Sequence, residues 1–303
     1  MKTVSIGEVL WDVVGSREYL GGATFNFSAN LGRLGHAVSF ISAVGSDSRG
    51  RLVLGRMAEM GLPARFVRVL EEHPTGVVTV TLNQGGQPSF VLHRPAAYDF
   101  PQLDDAELRE LAAQEPDWVY FGTLAMIGDG AHRVTMALLD HLSGARRFYD
   151  INLRVDSYTP SLVRELMSRA TVVKLNDEEV GEIDRMFGQQ HHSLEPFCRD
   201  YAALFNWEGV CITRGAKGCA ALMQGEYLES DGYAIEVADA VGAGDAFAAA
   251  FLHGLDSGWP LSRVTDFANR VGALVASRAG ALPPWTVEEA MALKTKSAHV
   301  ETT

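Results

Sequence analysis

Apolar residues run along this chain in two alternating rhythms. Short runs rich in β-branched and aromatic residues, such as TVSIGEVL from Thr3 and AVSFISAVG from Ala37, read as buried strands. Longer stretches with apolar positions three and four apart read as helices. TFNFSANLGRLG from Thr24 is one, and SRGRLVLGRMAEMG from Ser48 is another, closed by Gly61 and then Pro63. The rhythm then changes. ARFVRVL, TGVVTVTLN and PSFVLH are short strands with NQGG, from Asn83, as a turn between the last two. Val78, Val80 and Leu82 alternate with Val77, Thr79 and Thr81, which predicts a small antiparallel sheet inserted beside a larger domain. Strand and helix alternate again through DWVYFG, RRFYDIN, ATVVKLN and GVCITRG. GCAALMQGEYLES and YAIEV predict a β-meander, followed by helices from Ala243 and around Leu261–Arg278. The fold class is therefore α/β, a doubly wound and mostly parallel sheet covered by helices. In such folds ligands sit at the carboxyl ends of the strands.

Composition narrows the function classes. The 303 residues suit one large domain and are 47% hydrophobic, enough for a sizeable core. A net charge of −12 argues against nucleic acid or an anionic membrane as the main partner. Cys198, Cys211 and Cys219 have no CxxC spacing and read as small buried apolar residues. The N-terminal stretch lacks the apolar core of a signal peptide, and no apolar run reaches membrane-spanning length, so a soluble cytoplasmic protein is expected. The sequon NFS at Asn26 is read as chance.

The chemistry concentrates in DAVGAGDAF, Asp239–Phe247. Gly242 and Gly244 allow backbone conformations closed to other residues and a close approach to a ligand. The helix that follows offers first-turn N–H groups and the positive end of its dipole to an anion. Asp245 then stands in that first turn. A carboxylate beside phosphate is awkward unless it has a task, and accepting a proton from an attacking hydroxyl is one. The plainer reading is a helix start with a favourable acid and glycines for packing. No GxxxxGK[ST], GxGxxG after the first strand, HExxH or GxSxG occurs in the chain.

These residues resemble the PfkB (ribokinase-like) carbohydrate kinases. That family has a late signature D-[TA]-x-G-A-G-D-x-F, matched by Asp239–Phe247. Its early signature is a Gly-Gly pair, an asparagine, a helix and G-x-D-x-x-G, matched by GGATFNFSANLGRLG and AVGSDSRG. Further likeness runs through GEVLWD, NLR, KLNDEEV, ITRGAKG and AGALPP, so it spans essentially the whole chain. The resemblance implies a single ribokinase-like α/β kinase domain over 1–303, with lid strands at about 13–20 and 64–98 and a homodimer through the lid. It implies Asp245 as catalytic base and Gly242, Ala243 and Gly244 as the anion hole. Asp12, Gly21, Gly22, Asn26 and Arg154 would bind the sugar. Asn176, Thr213, Gly215, Gly218 and Asn269 would contact ATP. Glu179 would help hold Mg²⁺ through water, and Asp239 a monovalent cation, potassium, with carbonyls from SRAGALPP. For Asn176 the plainer reading is a helix N-cap followed by acids that favour the first turn.

GEVLWD and YDINLR resemble the fructokinase branch, which includes 2-keto-3-deoxygluconate kinases. Thr24 stands where the fructokinase form GGAPxN has proline, and the ribokinase form GGKGAN is absent. Arg154 suits either a nucleotide phosphate or a substrate carboxylate. His93, Arg94 and Tyr98 at the end of the lid are further sugar contacts or plain lid residues. The reading is an ATP-dependent sugar kinase, a fructokinase making fructose 6-phosphate. The alternatives are 2-keto-3-deoxygluconate kinase, a non-catalytic sugar or nucleotide sensor of the same fold, and an NAD-type oxidoreductase, which the missing fingerprint disfavours.

Overall fold

The structure is a computed structural model that describes residues 1–82 and 88–294. The chain divides into two compact units, Met1–Thr171 and Val172–Thr303.

In the first unit the elements run β1 (Lys2–Ile6), β2 (Leu10–Val14), β3 (Arg17–Gly21), α1 (Ala23–Arg33), β4 (Ala37–Gly45), α2 (Ser48–Glu59) and β5 (Phe66–Leu70). They continue as β6 (Gly76–Leu82), β7 (Pro88–His93), α3 (Asp105–Ala113), β8 (Trp118–Gly122), α4 (Asp129–His141), β9 (Arg146–Asp150) and α5 (Pro160–Arg169). Five strands pair in parallel in the order β9-β8-β1-β4-β5. Such strands are covered on both faces, which is why they read as near-continuous apolar runs. Phe27 of α1 stacks on Tyr120 of β8 with ring centroids 3.5 Å apart, and Phe121 stacks on Tyr149 at 5.2 Å. Truncating a buried aromatic of this kind to alanine costs about 3–5 kcal/mol. Side chains fix the helix starts. Asp47 accepts the Gly50 N–H at 2.8 Å, Asp104 and Glu107 form a reciprocal capping box, and Thr159 caps α5 ahead of Pro160.

The small sheet has the order β3-β2-β6-β7, with β2 antiparallel to β3 and parallel to β6. Two readings are corrected here. TVSIGEVL is not one strand: the chain leaves the large sheet after Ile6 and enters the small one at Leu10. The reason is Gly7, where a Cβ would lie 2.2 Å from Thr24 Oγ1, so the chain turns against the start of α1. ARFVRVL is not part of the small sheet either. Phe66–Leu70 pairs in parallel with Ile41–Gly45 of β4, burying Phe66 and Val67 at the edge of the large sheet. The NQGG turn lies outside the described residues.

The second unit contains β10 (Val172–Asn176), α6 (Asp177–Phe187), α7 (Leu194–Phe205), β11 (Gly209–Thr213), β12 (Cys219–Met223) and β13 (Glu226–Ser230). Helices α8 (Ala243–Asp256), α9 (Leu261–Ala276) and α10 (Val287–Met291) follow. Its strands have the order β13-β12-β11-β10, with β10 and β11 parallel and the rest antiparallel. Gln224 and Gly225 both have positive φ, 49° and 88°, as a tight two-residue hairpin turn requires. YAIEV does not form a strand. Tyr233 is buried, its hydroxyl donates to Asp266 and Arg270 lies over its ring. Beyond it the N–H groups of Ala238 and Asp239 both donate to the Ala276 carbonyl, which ties the segment to α9. The three cysteines are buried and reduced. Among the described residues no helix is long and apolar enough to cross a membrane.

Candidate functional site

In the first unit, four of the residues expected to meet the sugar, Asp12, Gly21, Gly22 and Asn26, lie on β2, at the end of β3 and at the start of α1. Asp12 lies on β2, opposite Tyr19 of β3 and Val78 of β6, and is half-buried. Gly21 ends β3 opposite Leu10. Gly22 is the N-cap of α1 with φ 108°, and a Cβ there would lie 2.7 Å from the Glu8 carbonyl oxygen. Only glycine fits both constraints. Asn26 follows one turn later, 2% exposed, and its N–H donates to the Gly22 carbonyl at 2.8 Å. That burial leaves no room for a glycan. Arg154 stands in the exposed loop after β9, its guanidinium donating to the Leu153 carbonyl at 3.0 Å.

Sequence reading missed Glu8. It is 2% exposed, and the Thr24 N–H and hydroxyl each donate to its carboxyl at 3.3 Å. Burial pushes its pKa above the ordinary carboxylate value, against the backbone hydrogen bonds at Thr24 and Ala23 and the charge of Arg154. Glu8 lines a cavity of about 10 Å³ with Thr24, Tyr120, Asp150 and Asn152. The Tyr120 hydroxyl donates to buried Asp150 at 3.1 Å. The available signal was the charge itself, a glutamate in an otherwise apolar run. At the end of β7 the lid residues separate. His93 is exposed and bonds Thr79 Oγ1 at 2.7 Å. Arg94 pairs with Asp99 and donates to the Leu124 carbonyl at 3.0 Å. Tyr98 is 1% exposed and packs on Gly76, where a Cβ would meet its ring at 2.6 Å, so it is a core residue rather than an exposed lid contact.

In the second unit the glycine–aspartate turn is built as the motif suggests. Gly242 is the N-cap of α8 with φ 80°, and a Cβ on it would lie 2.1 Å from the Ala281 carbonyl oxygen. The Ala243 N–H turns back to the Ala240 carbonyl at 3.3 Å. Gly244 and Asp245 follow in the first turn, whose N–H groups have no intrahelical acceptor in any α-helix. Asp245 is 8% exposed. Asp239 braces the turn: its carboxylate accepts the Val241 N–H at 3.0 Å and the Gly280 N–H at 3.1 Å.

The residues expected to meet the nucleotide lie at the ends of β10 and β11, in the loop after β11 and on α9. Asn176 caps α6 in a reciprocal box, its side chain accepting the Glu179 N–H at 2.9 Å while Glu179 accepts the Asn176 N–H at 2.8 Å. The plainer reading of Asn176 therefore holds alongside any functional one. Thr213 is the β11 partner of Asn176. Gly215 has φ 53° and Gly218 φ 85°, and a Cβ on Gly218 would lie 2.0 Å from the Ser230 carbonyl oxygen. The Asn269 side-chain amide donates to Ser230 Oγ and to the Asp231 carbonyl, both at 3.2 Å, tying α9 to the end of β13. Among the described residues no cluster of three or more His, Cys, Asp or Glu could hold a metal by itself. Glu179 and Asp239 offer hard oxygen donors of the type Mg²⁺ and potassium take, with water and substrate oxygens completing the shell.

The second unit thus holds a glycine-capped helix start carrying a buried carboxylate and an N-x-x-E helix cap. The chain belongs to the pfkB family of carbohydrate kinases, whose model matches residues 5–287. It is 28% identical to a fructokinase of Escherichia coli over 277 residues, covering 86% of this chain and 87% of that one. Solved structures share the ribokinase-like fold. A fructokinase of Xylella fastidiosa with bound ATP superposes with a TM-score of 0.84 at 22% identity, covering 96% of this chain and 97% of that one. A 2-dehydro-3-deoxygluconokinase of Thermotoga maritima reaches 0.85 at 19% identity, covering 97% and 98%. The chain is thus a sugar kinase of this family.

Proposed function

We propose that this sugar kinase is a fructokinase that moves the γ-phosphoryl group of ATP to the primary hydroxyl of fructose, giving fructose 6-phosphate and ADP. The observation that carries this is the Gly242–Asp245 turn, with a buried carboxylate in the first turn of α8. Asp12, Gly21, Gly22 and Asn26 hold the sugar hydroxyls, carboxylate and amide each suiting paired hydroxyl contacts. Thr213, Gly215 and Gly218 line the nucleotide, with Asn176 at the phosphates and Asn269 supporting the adenine side.

Asp245 takes the proton as the hydroxyl oxygen forms its bond to the γ-phosphorus. The bond from that phosphorus to the β,γ-bridging oxygen breaks, and ADP leaves with its electron pair. The backbone of Gly242, Ala243 and Gly244 meets the charge that develops on the phosphoryl oxygens. Glu179 would hold Mg²⁺ through water, and Asp239 potassium; when bound, these cations neutralise phosphate charge and brace the turn. The small sheet is assigned as a lid that excludes water, since water competes for the phosphoryl group. Its exposed Val14 and Val91 favour pairing with a second copy through the lid.

Exposed Arg154 favours a second acceptor, 2-keto-3-deoxygluconate, whose carboxylate would pair with the guanidinium. ADP release with Mg-ATP and potassium over fructose, 2-keto-3-deoxygluconate, ribose, tagatose and adenosine tests both. A strong fructose signal that Asp245→Asn abolishes is expected. A signal with the acid sugar alone keeps the mechanism and moves Arg154 to the carboxylate. Silence across the panel from folded protein would remove the fructokinase reading.

A further inference from the structure

The early G-x-D-x-x-G motif supplies none of the residues expected to meet sugar or nucleotide. Gly45, Asp47 and Gly50 stand where β4 passes into α2. Asp47 commits both carboxylate oxygens to the protein. Its Oδ1 accepts the Gly50 N–H and the Thr75 hydroxyl, each at 2.8 Å, and its Oδ2 accepts the Thr75 N–H at 2.8 Å. Thr75 Oγ1 in turn accepts the Gly45 N–H at 2.9 Å. Thr75 is 2% exposed. Burial opposes the Asp47 charge, but hydrogen bonds from Thr75 and Gly50 and the charge of Arg49 outweigh it and hold the pKa below the ordinary 3.8. The glycines admit this packing. A Cβ on Gly45 would lie 2.7 Å from the Thr75 nitrogen, and one on Gly50 would lie 2.0 Å from the Gly45 carbonyl oxygen.

Thr75 is the residue from which β6 starts. Gly76 then pairs with Leu10 of β2, and Val78 pairs with Asp12. The neighbouring Pro74 carbonyl accepts the Ala97 N–H at 2.8 Å, so the chain that returns from β7 is tied at the same place. We infer that Asp47 is a positioning residue of the sugar site: acting through Thr75, it pins the start of β6 and so sets where Asp12 stands. This rests on the sugar-kinase reading with Asp12 as a sugar contact. The geometry also explains the carboxylate. Thr75 turns two donors to Asp47, its N–H and its hydroxyl, because the hydroxyl oxygen already accepts from Gly45. A carboxylate accepts on both oxygens, whereas an amide would set its own NH₂ against one of those donors.

Asparagine caps a helix as well as aspartate does, so Asp47→Asn spares the start of α2 and disturbs the tie to Thr75. ADP release with Mg-ATP is measured over fructose and over 2-keto-3-deoxygluconate. For the sugar that wild type uses, KM is expected to rise about 10-fold while kcat and ATP KM stay within about threefold. Thr75→Val, which loses the hydroxyl, should raise sugar KM in the same sense. Thr75→Ser keeps the hydroxyl and should stay within about twofold of wild type. Sugar KM unchanged in Asp47→Asn and Thr75→Val overturns the inference. An equal rise in ATP KM does so too, since general loosening of the fold would give it. If Asp47→Asn does not fold, the two Thr75 variants decide: a raised KM in Thr75→Val alone supports the tie, and the same KM in both overturns it. Wild type that turns over neither sugar would instead remove the kinase reading and this inference with it.

Discussion

Gly242 and Gly244 look alike in the sequence, yet the structure gives them opposite tolerances to a methyl group. Gly242 has φ 80°, a conformation that costs an L-residue about 1–2 kcal/mol. A Cβ there would also lie 2.1 Å from the Ala281 carbonyl oxygen, 2.8 Å from its carbon and 2.9 Å from its Cα. Backbone cannot rotate aside as a side-chain tip can, so the turn or the 280–282 segment must shift, adding about 1–3 kcal/mol. Gly242→Ala is therefore expected to lose about 2–5 kcal/mol of stability, the sum of the two effects. It should also lower kcat by displacing the start of α8. At Gly244 the backbone is helical and the added Cβ would make only an ordinary 3.8 Å contact with Lys174 Nζ. Replacing glycine inside a helix by alanine gains up to about 1 kcal/mol, so Gly244→Ala should fold at least as well as wild type. It should nonetheless lose kcat, because the methyl stands where the proposed site brings the phosphoryl group. Urea unfolding at constant pH, with kcat measured on the same preparations, separates the two. Equal stability of the two variants within about 0.5 kcal/mol, the usual scatter for substitutions that meet no special constraint, would refute the steric reasoning.

Asp245→Asn should fold normally and lose about 10²–10⁴ in kcat, read by ADP release; near-normal turnover would sink the assignment of the base. Glu8→Gln should keep sugar KM within a few-fold, since the amide oxygen can still accept the Thr24 N–H, whereas Glu8→Ala should raise it by freeing the first turn of α1. Because burial raises the Glu8 pKa above its ordinary 4.5, the stability it contributes is full below 4.5 and is lost as pH rises through the raised value. Urea midpoints should then favour Glu8→Gln over wild type increasingly as pH climbs from about 5, and parallel curves would refute this. His191 is the converse case in sign of charge: burial opposes its proton, but hydrogen bonds to Asp184 at 2.8 Å and Asp200 at 3.1 Å outweigh it and hold its pKa above the ordinary 6.5. Its contribution is full below 6.5 and fades above, so wild type should lose stability from pH 6.5 upward relative to its own acid value, and His191→Ala should flatten that slope.

Much of this was legible in residue order because local rules and global fold agree. The glycine pair, the N-x-x-E cap and the Gln224–Gly225 hairpin are short-range devices, each decided within a few residues. What sequence could not supply is decided across long separations. Phe66–Leu70 carries an apolar pattern that fits either sheet, and only its pairing with β4 assigns it. Tyr233–Val237 has strand composition, but only Tyr233 makes a single bridge; its hydroxyl bonds Asp266, and Ala238 and Asp239 just beyond bond Ala276. Glu8 was passed over for a related reason. A single charge in an apolar run signals that something is buried with it, but its partner lies elsewhere in the chain.

The hairpin from Leu10 to Gly21 joins the rest of its unit at a base where Gly7 meets Thr24 and Gly22 meets Glu8, each at a distance that leaves no room for a methyl group. Mechanically this is an arm with a locked pivot, and Asp12 rides on it. A change at the pivot that never touches a sugar would swing Asp12 by leverage. Acceptor preference among related chains can therefore drift through Gly7 and Thr24 while every residue proposed to contact the sugar stays the same.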